Sequence, residues 1–116
     1  MATKEITIGT DYTTVPGGRF TKYGPYSGED FRDNVLTPAL RDFAKVIVYL
    51  DGTKTYMSSF LEEAFGGLIR VRGFTLPELK SRLHVTAKDP KYSIYVSTVE
   101  RDLEDADAGR HPARVA

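Results

Sequence analysis

Ile6 and Ile8 alternate with threonines, a period of two that predicts a short strand with one buried face. A loop rich in Thr, Pro and Gly follows and ends in Pro16-Gly17-Gly18. Arg19 to Tyr23 alternates again and predicts a second strand, able to pair with the first as a hairpin, before the Gly24-Pro25 turn. Ser27 with Asp30 three positions on has capping-box spacing and opens a helix. Phe31, Val35, Leu36, Ala39, Leu40 and Phe43 then fall on one helical face, and Pro38 is expected to kink or restart that helix.

Lys45 to Leu50 is a continuous apolar, β-branched run closed by Asp51-Gly52, as expected of a central strand covered on both faces. A helix from Ser59 to about Arg70 carries Phe60, Leu61, Ala64, Phe65, Leu68 and Ile69 on one broad face. Thr75-Leu76-Pro77-Glu78 combines a cap, an early Pro and a Glu at the third position, a helix start, with Leu76, Leu79 and Leu83 as its buried stripe. His84 to Ala87 reads as a short strand. The Tyr, Ile, Val and Thr content of Lys91 to Ala106 favours strand, whereas the four-three-four spacing of Tyr92, Val96, Val99 and Leu103 after Asp89-Pro90 favours helix. Helix is the reading adopted. From Asp107 the periodicity is lost, and residues 107–116 are expected to form a flexible tail behind a single domain of residues 1–106. Strands alternating with helices predict an α/β fold, a mixed, mostly parallel sheet of about four strands with helices packed on it.

Composition narrows the function classes. The chain has 116 residues, 41% hydrophobic and 28% charged, the size and balance of one globular domain. It has no cysteine, so disulfides and thiolate metal sites are out. Sixteen basic residues balance sixteen acidic ones, and only small basic groupings such as Arg19/Lys22 and Arg70/Arg72 occur, which argues against a nucleic-acid role. Met1-Ala2-Thr3-Lys4-Glu5 has no apolar run after its first charge and does not read as a signal peptide. The longest apolar stretch, Val46 to Leu50, is far too short to cross a bilayer, so the expected setting is the cytoplasm.

Four stretches together resemble a known family. They are Pro16-Gly17-Gly18-Arg19-Phe20, Gly24-Pro25-Tyr26-Ser27-Gly28-Glu29-Asp30-Phe31-Arg32, Tyr49-Leu50-Asp51-Gly52, and Ser58-Ser59-Phe60-Leu61-Glu62-Glu63-Ala64-Phe65-Gly66-Gly67-Leu68. The pattern is similar to the bacterial STAS-like domain family of unknown function, over about Ile6 to Ala106, with Leu50 to Leu68 the most specific block. The resemblance implies a fold related to the STAS domains of anti-sigma-factor antagonists. In those antagonists a strand leads into an Asp-Ser-Ser-Gly-Leu turn whose second serine is phosphorylated by a partner kinase that is also the anti-sigma factor. On that alignment Ser59 takes the phosphoacceptor position and Ser58 is the second candidate, with Met57 standing in place of Asp and Phe60 in place of Gly. The implied function is a non-catalytic regulatory module, a partner switch for a histidine-kinase-like ATPase or anti-sigma factor, with no cofactor.

Read from the residues alone, Ser59 is either a plain N-cap completed by Glu62 or an exposed hydroxyl open to modification. A helical wheel turns Ser59, Glu62, Glu63, Gly66 and Arg70 outward and Ser58 inward, which makes Met57, Ser59, Glu62, Glu63 and Arg70 the expected partner surface. A phosphate on Ser59 would sit at the positive end of the helix dipole and act through the new charge it adds beside the glutamates. Tyr56, just before the serine pair, is a further candidate for recognition. Gly17, Gly18 and Arg19 could cradle an anion and support the alternative function, a small-ligand or nucleotide-binding domain, though a tight loop before a strand explains them as well. Neither GxxxxGK[ST] nor GxGxxG occurs. The serines lie in no Gly-x-Ser-x-Gly elbow, and His84 and His111, the only histidines, give no triad or metal cluster.

Overall fold

A computed structural model describes residues 2–110 of the chain. Strand β1 (Thr3–Thr7) leads into a single helical turn, α1 (Ile8–Asp11). After a loop, Ser27 caps α2 (Gly28–Phe31), accepting the Asp30 amide at 3.0 Å as its capping-box spacing predicts. The helix widens into a π turn over Arg32–Leu36 and continues as α3 (Thr37–Asp42). Pro38 has no amide for the carbonyl four residues back and its ring crowds that turn. The wider π turn lies immediately before it, and the helix runs on without a break.

Strand β2 (Lys45–Tyr49) precedes a second interrupted helix: α4 (Ser58–Leu61), a π turn over Glu62–Gly66, then α5 (Gly67–Arg70). Helix α6 (Leu76–Arg82) is capped by Thr75, as read from its sequence. Strand β3 (Leu83–Thr86) begins one residue earlier than expected. Helix α7 (Ser93–Asp107) closes the described chain and decides the ambiguous segment in favour of helix. The tail expected from Asp107 lies for the most part, His111 included, outside the described residues. Asp107 itself ends α7, and Arg110 pairs with Asp105 at 2.7 Å.

Among the described residues the sheet has three strands in the order β1-β2-β3, all parallel, with Thr3 opposite Lys45 and Val46 opposite Leu83. The expected fourth strand, Arg19 to Tyr23, is instead a loop ending in a 3-10 turn, Thr21–Tyr23. Its backbone bonds go to the start of α2: Glu29 donates to the Arg19 carbonyl at 3.0 Å, and the Thr21 amide donates to the Glu29 carboxylate at 2.9 Å. These bonds take the place of a hairpin ladder. β2 is central as predicted, but it is covered on one face only. Val46, Val48 and Leu50 are buried with Ile6, Phe31, Leu36, Leu40, Phe60, Phe65, Leu68 and Val99. On the other face Glu5, Ile47 and His84 stand in register, with Glu5 and His84 exposed. There the Tyr49 hydroxyl donates to Glu5 at 3.1 Å and the Lys88 ammonium sits 4.8 Å above the Tyr49 ring, so polar partners cover the apolar parts of an open face.

The helix pair α4–α5 lies between α2–α3 on one side and α7 on the other. It is therefore buried nearly all round: every residue from Ser59 to Leu68 is out of solvent. That burial decides what its polar residues can do.

Candidate functional site

The opening of α4 follows from the loop before it. The Asp51 carboxylate accepts the Lys88 amide at 2.9 Å and the Asp89 amide at 2.8 Å, and the Tyr56 hydroxyl donates to the Leu50 carbonyl at 2.6 Å. These bonds fix the crossover from β2, and the chain enters the helix through Met57 in extended conformation. Burial keeps the Tyr56 phenol protonated, with its pKa raised. Tyr56 is thus a core residue, 6% exposed, and not part of a recognition surface.

The serine pair is oriented opposite to expectation. Met57 is the N-cap residue and makes no side-chain cap bond, so Ser59 lies inside the first turn and caps nothing. Ser59 is 4% exposed, whereas Ser58 is exposed beside Met57, itself 49% exposed. The wheel misplaced them because from Ser59 to Leu68 the helix is enclosed on all sides, and its opening at Ser58 reaches solvent.

Glu62 and Glu63 are corrected in the same way. They are not a solvated face but the centre of a buried ion network. Arg19 reaches Glu62 at 2.5 Å and Glu63 at 3.0 Å. Arg70 reaches Glu62 at 2.7 Å and Glu63 at 3.1 Å. Arg32 bonds Glu63 as well, and also Asp33 at 2.7 Å, which Arg72 holds in turn at 2.9 Å. Four guanidiniums therefore meet three carboxylates. Burial alone would raise the Glu62 pKa, but the bonds from Arg70 and Arg19 outweigh it and hold the carboxyl below its usual range. Arg32 and Arg72 do the same for Asp33. Arg70, expected on a partner surface, is an exposed residue, but its side chain is only about a quarter exposed and its guanidinium bonds these glutamates.

Glycines make room for the network. A Cβ on Gly66 would stand 2.6 Å from the Glu62 carboxylate, and one on Gly67 would stand 2.6 Å from the Arg32 guanidinium. At Gly28 a Cβ would fall 2.4 Å from the Phe60 carbonyl, so α2 and α4 cross at backbone contact. Such glycines inside helices, where the residue costs about 1 kcal/mol relative to Ala, were the one local signal that something bulky lies alongside. Arg32 and Arg72 escaped the sequence reading because their partners, Glu63 and Asp33, are distant along the chain, and Asp102 read as part of a solvated helix face with Glu104 and Asp105.

Gly17, Gly18 and Arg19 have other employment than an anion. Arg19 is 7% exposed and points at the two glutamates. The Gly17 amide donates to the Tyr26 carbonyl at 2.8 Å, and the Gly18 carbonyl accepts from Gly28 at 2.9 Å. This loop holds Tyr26 at a φ of 55°, an uncommon value for a residue with a Cβ. Among the described residues no cluster of His, Asp or Glu has metal-binding geometry, and no helix is long and apolar enough to cross a membrane.

A family model described as "STAS-like domain of unknown function (DUF4325)" matches residues 27–92, the span from the Ser27 cap through the ion network to Tyr92. No curated protein and no solved structure matches the chain. The chain belongs to this STAS-like family.

Proposed function

We propose that this STAS-like domain is a non-catalytic regulatory module of the cytoplasm that works by docking another protein at the opening of α4. What carries the reading is the exposure of Met57 and Ser58 at the end of a crossover that Asp51 and Tyr56 hold in place from within. A large exposed apolar side chain beside a hydroxyl offers a partner a contact, with the hydroxyl as its control point. The partner implied by the resemblance is a histidine-kinase-like ATPase or anti-sigma factor.

Ser58 takes the phosphoacceptor role in this reading, in place of Ser59. A phosphate on Ser58 would lie at the first helical position, where the Ser58 and Ser59 amides precede the first intrahelical bonds, and would carry about −1.5 to −2 charges towards the positive end of the dipole. The fold would tolerate that charge, and the switch would act on the docking surface. Buried Ser59 has no space for it. Incubating the protein with such an ATPase and ATP, followed by intact-mass spectrometry, tests the switch. The expected result is one phosphate, lost in Ser58→Ala and kept in Ser59→Ala. No phosphate, together with partner binding unchanged in Met57→Ala and Ser58→Asp, would end the proposal.

A further inference from the structure

Asp102 lies on α7 outside the set of residues that line the cleft of about 370 Å³ between α6, β3 and α7. It belongs to the contact between α7 and the Glu62–Gly66 turn, which is close enough that a Cβ on Gly66 would stand 3.4 Å from the Asp102 carbonyl. Its Oδ2 is buried and has no hydrogen-bond partner. A buried carboxylate oxygen without a donor is costly, whereas a neutral carboxyl is much less so.

The charges around it do not supply a donor. Glu62, from the π turn, is the strongest charged influence, and Arg19 and Arg70 are already bonded to it. Glu63 on the same turn is held by Arg19, Arg32 and Arg70. Arg101 and Asp105 of α7 itself are nearby and opposite in sign. Lys80 of α6 and His84 of β3 lie with Glu100 and Glu104 along the cleft.

We propose that Asp102 is a proton-operated latch: protonated, it holds α7 against the Glu62–Gly66 turn, and ionised, beside Glu62, it releases α7. Burial, and after it the charge of Glu62, push the Asp102 carboxyl up to about 7. A carboxyl raised in the docked state binds its proton there more tightly than in the released state. Docking therefore weakens as pH rises from the ordinary value of 3.8 to about 7, and is level above that. The N-terminal end of α7 also holds the loop that leads to Ser58: the Tyr92 hydroxyl donates to the Thr53 carbonyl at 2.6 Å, and the Tyr95 ring packs edge-on against Tyr56 at 5.1 Å. The latch thus reaches the segment beside Met57, and it stands whether or not that segment docks a partner.

Two measurements decide it. Carbon NMR of the Asp102 carboxyl should give a titration midpoint near 7. Amide hydrogen exchange, corrected for intrinsic rate, should show α7 protection falling about tenfold per pH unit between pH 5 and 7. In Asp102→Asn, which is neutral and nearly isosteric, that pH dependence should vanish. A carboxyl titrating near 4 overturns the latch by itself, even if the variant fails to fold. So does α7 protection independent of pH, or an equal decline in the variant.

Discussion

Under the sheet, Val48, Phe31, Phe60 and Phe65 meet as apolar surfaces, whereas beside them on the same stretch of α4–α5 Glu62 and Glu63 meet Arg19, Arg32 and Arg70. Both layers are buried. The first is non-directional, so a change of shape costs in proportion to the volume lost and neighbours can relax. The second is directional and shared: Arg19 and Arg70 both bond Glu62 and Glu63, and removing one member leaves charge short of partners in a dry place. The comparison teaches that the central helix of this chain is fastened in two ways, one that grades with size and one that depends on paired charge.

The largest effects probe that difference directly. Phe65→Ala should lower unfolding free energy by about 3–5 kcal/mol through lost burial and a cavity. Glu63→Ala should cost a similar ~3–5 kcal/mol by leaving its arginine partners short of a counter-charge, although it removes far less apolar area. Urea denaturation measures both, and a cost under ~1 kcal/mol for Glu63→Ala would show that the ionic layer is ornamental. Next in size is acid sensitivity. The Glu62 and Asp33 pKa values are depressed in the fold, so their contribution is complete above the ordinary carboxyl range and is lost as pH falls through the folded values. The urea midpoint should drop as pH falls below the ordinary carboxyl values of 4.5 and 3.8, less so in Glu62→Gln, while the apolar layer adds no such slope. The smallest effects lie at helix starts. Ser27→Ala removes a true cap bond and should cost about 1 kcal/mol, and Ser59→Ala, which removes none, should cost less than ~1 kcal/mol. Equal losses at the two serines would restore Ser59 as a cap.

What the sequence disclosed follows the same divide. Ser27, Thr75 and the run from Lys45 were read correctly because their signals are local: a cap three residues from its amide, a β-branched run of strand length. The serine pair and the glutamates were misread because burial is set by distant segments. Arg19 is 43 positions from Glu62, and Arg32 is 31 from Glu63. A helical wheel also assumes one buried face and a constant 100° step, and here the helix is enclosed all round and widens to a π turn at the glutamates. The Arg19 to Tyr23 segment alternates like a strand, yet its backbone is claimed by the start of α2.

The all-parallel pairing has a consequence in time. Among the described residues no strand meets its neighbour through a hairpin: Thr3 waits for Lys45, and Val46 for Leu83. On a ribosome the first strand emerges with nothing to pair with until some forty residues later, about 2–8 seconds at ordinary synthesis rates. Folding rate falls as contacts become more distant in sequence, so this small domain should fold slowly for its length. Its earliest foothold is then the capped helix that begins at Ser27, and the sheet is the last part of the molecule to exist.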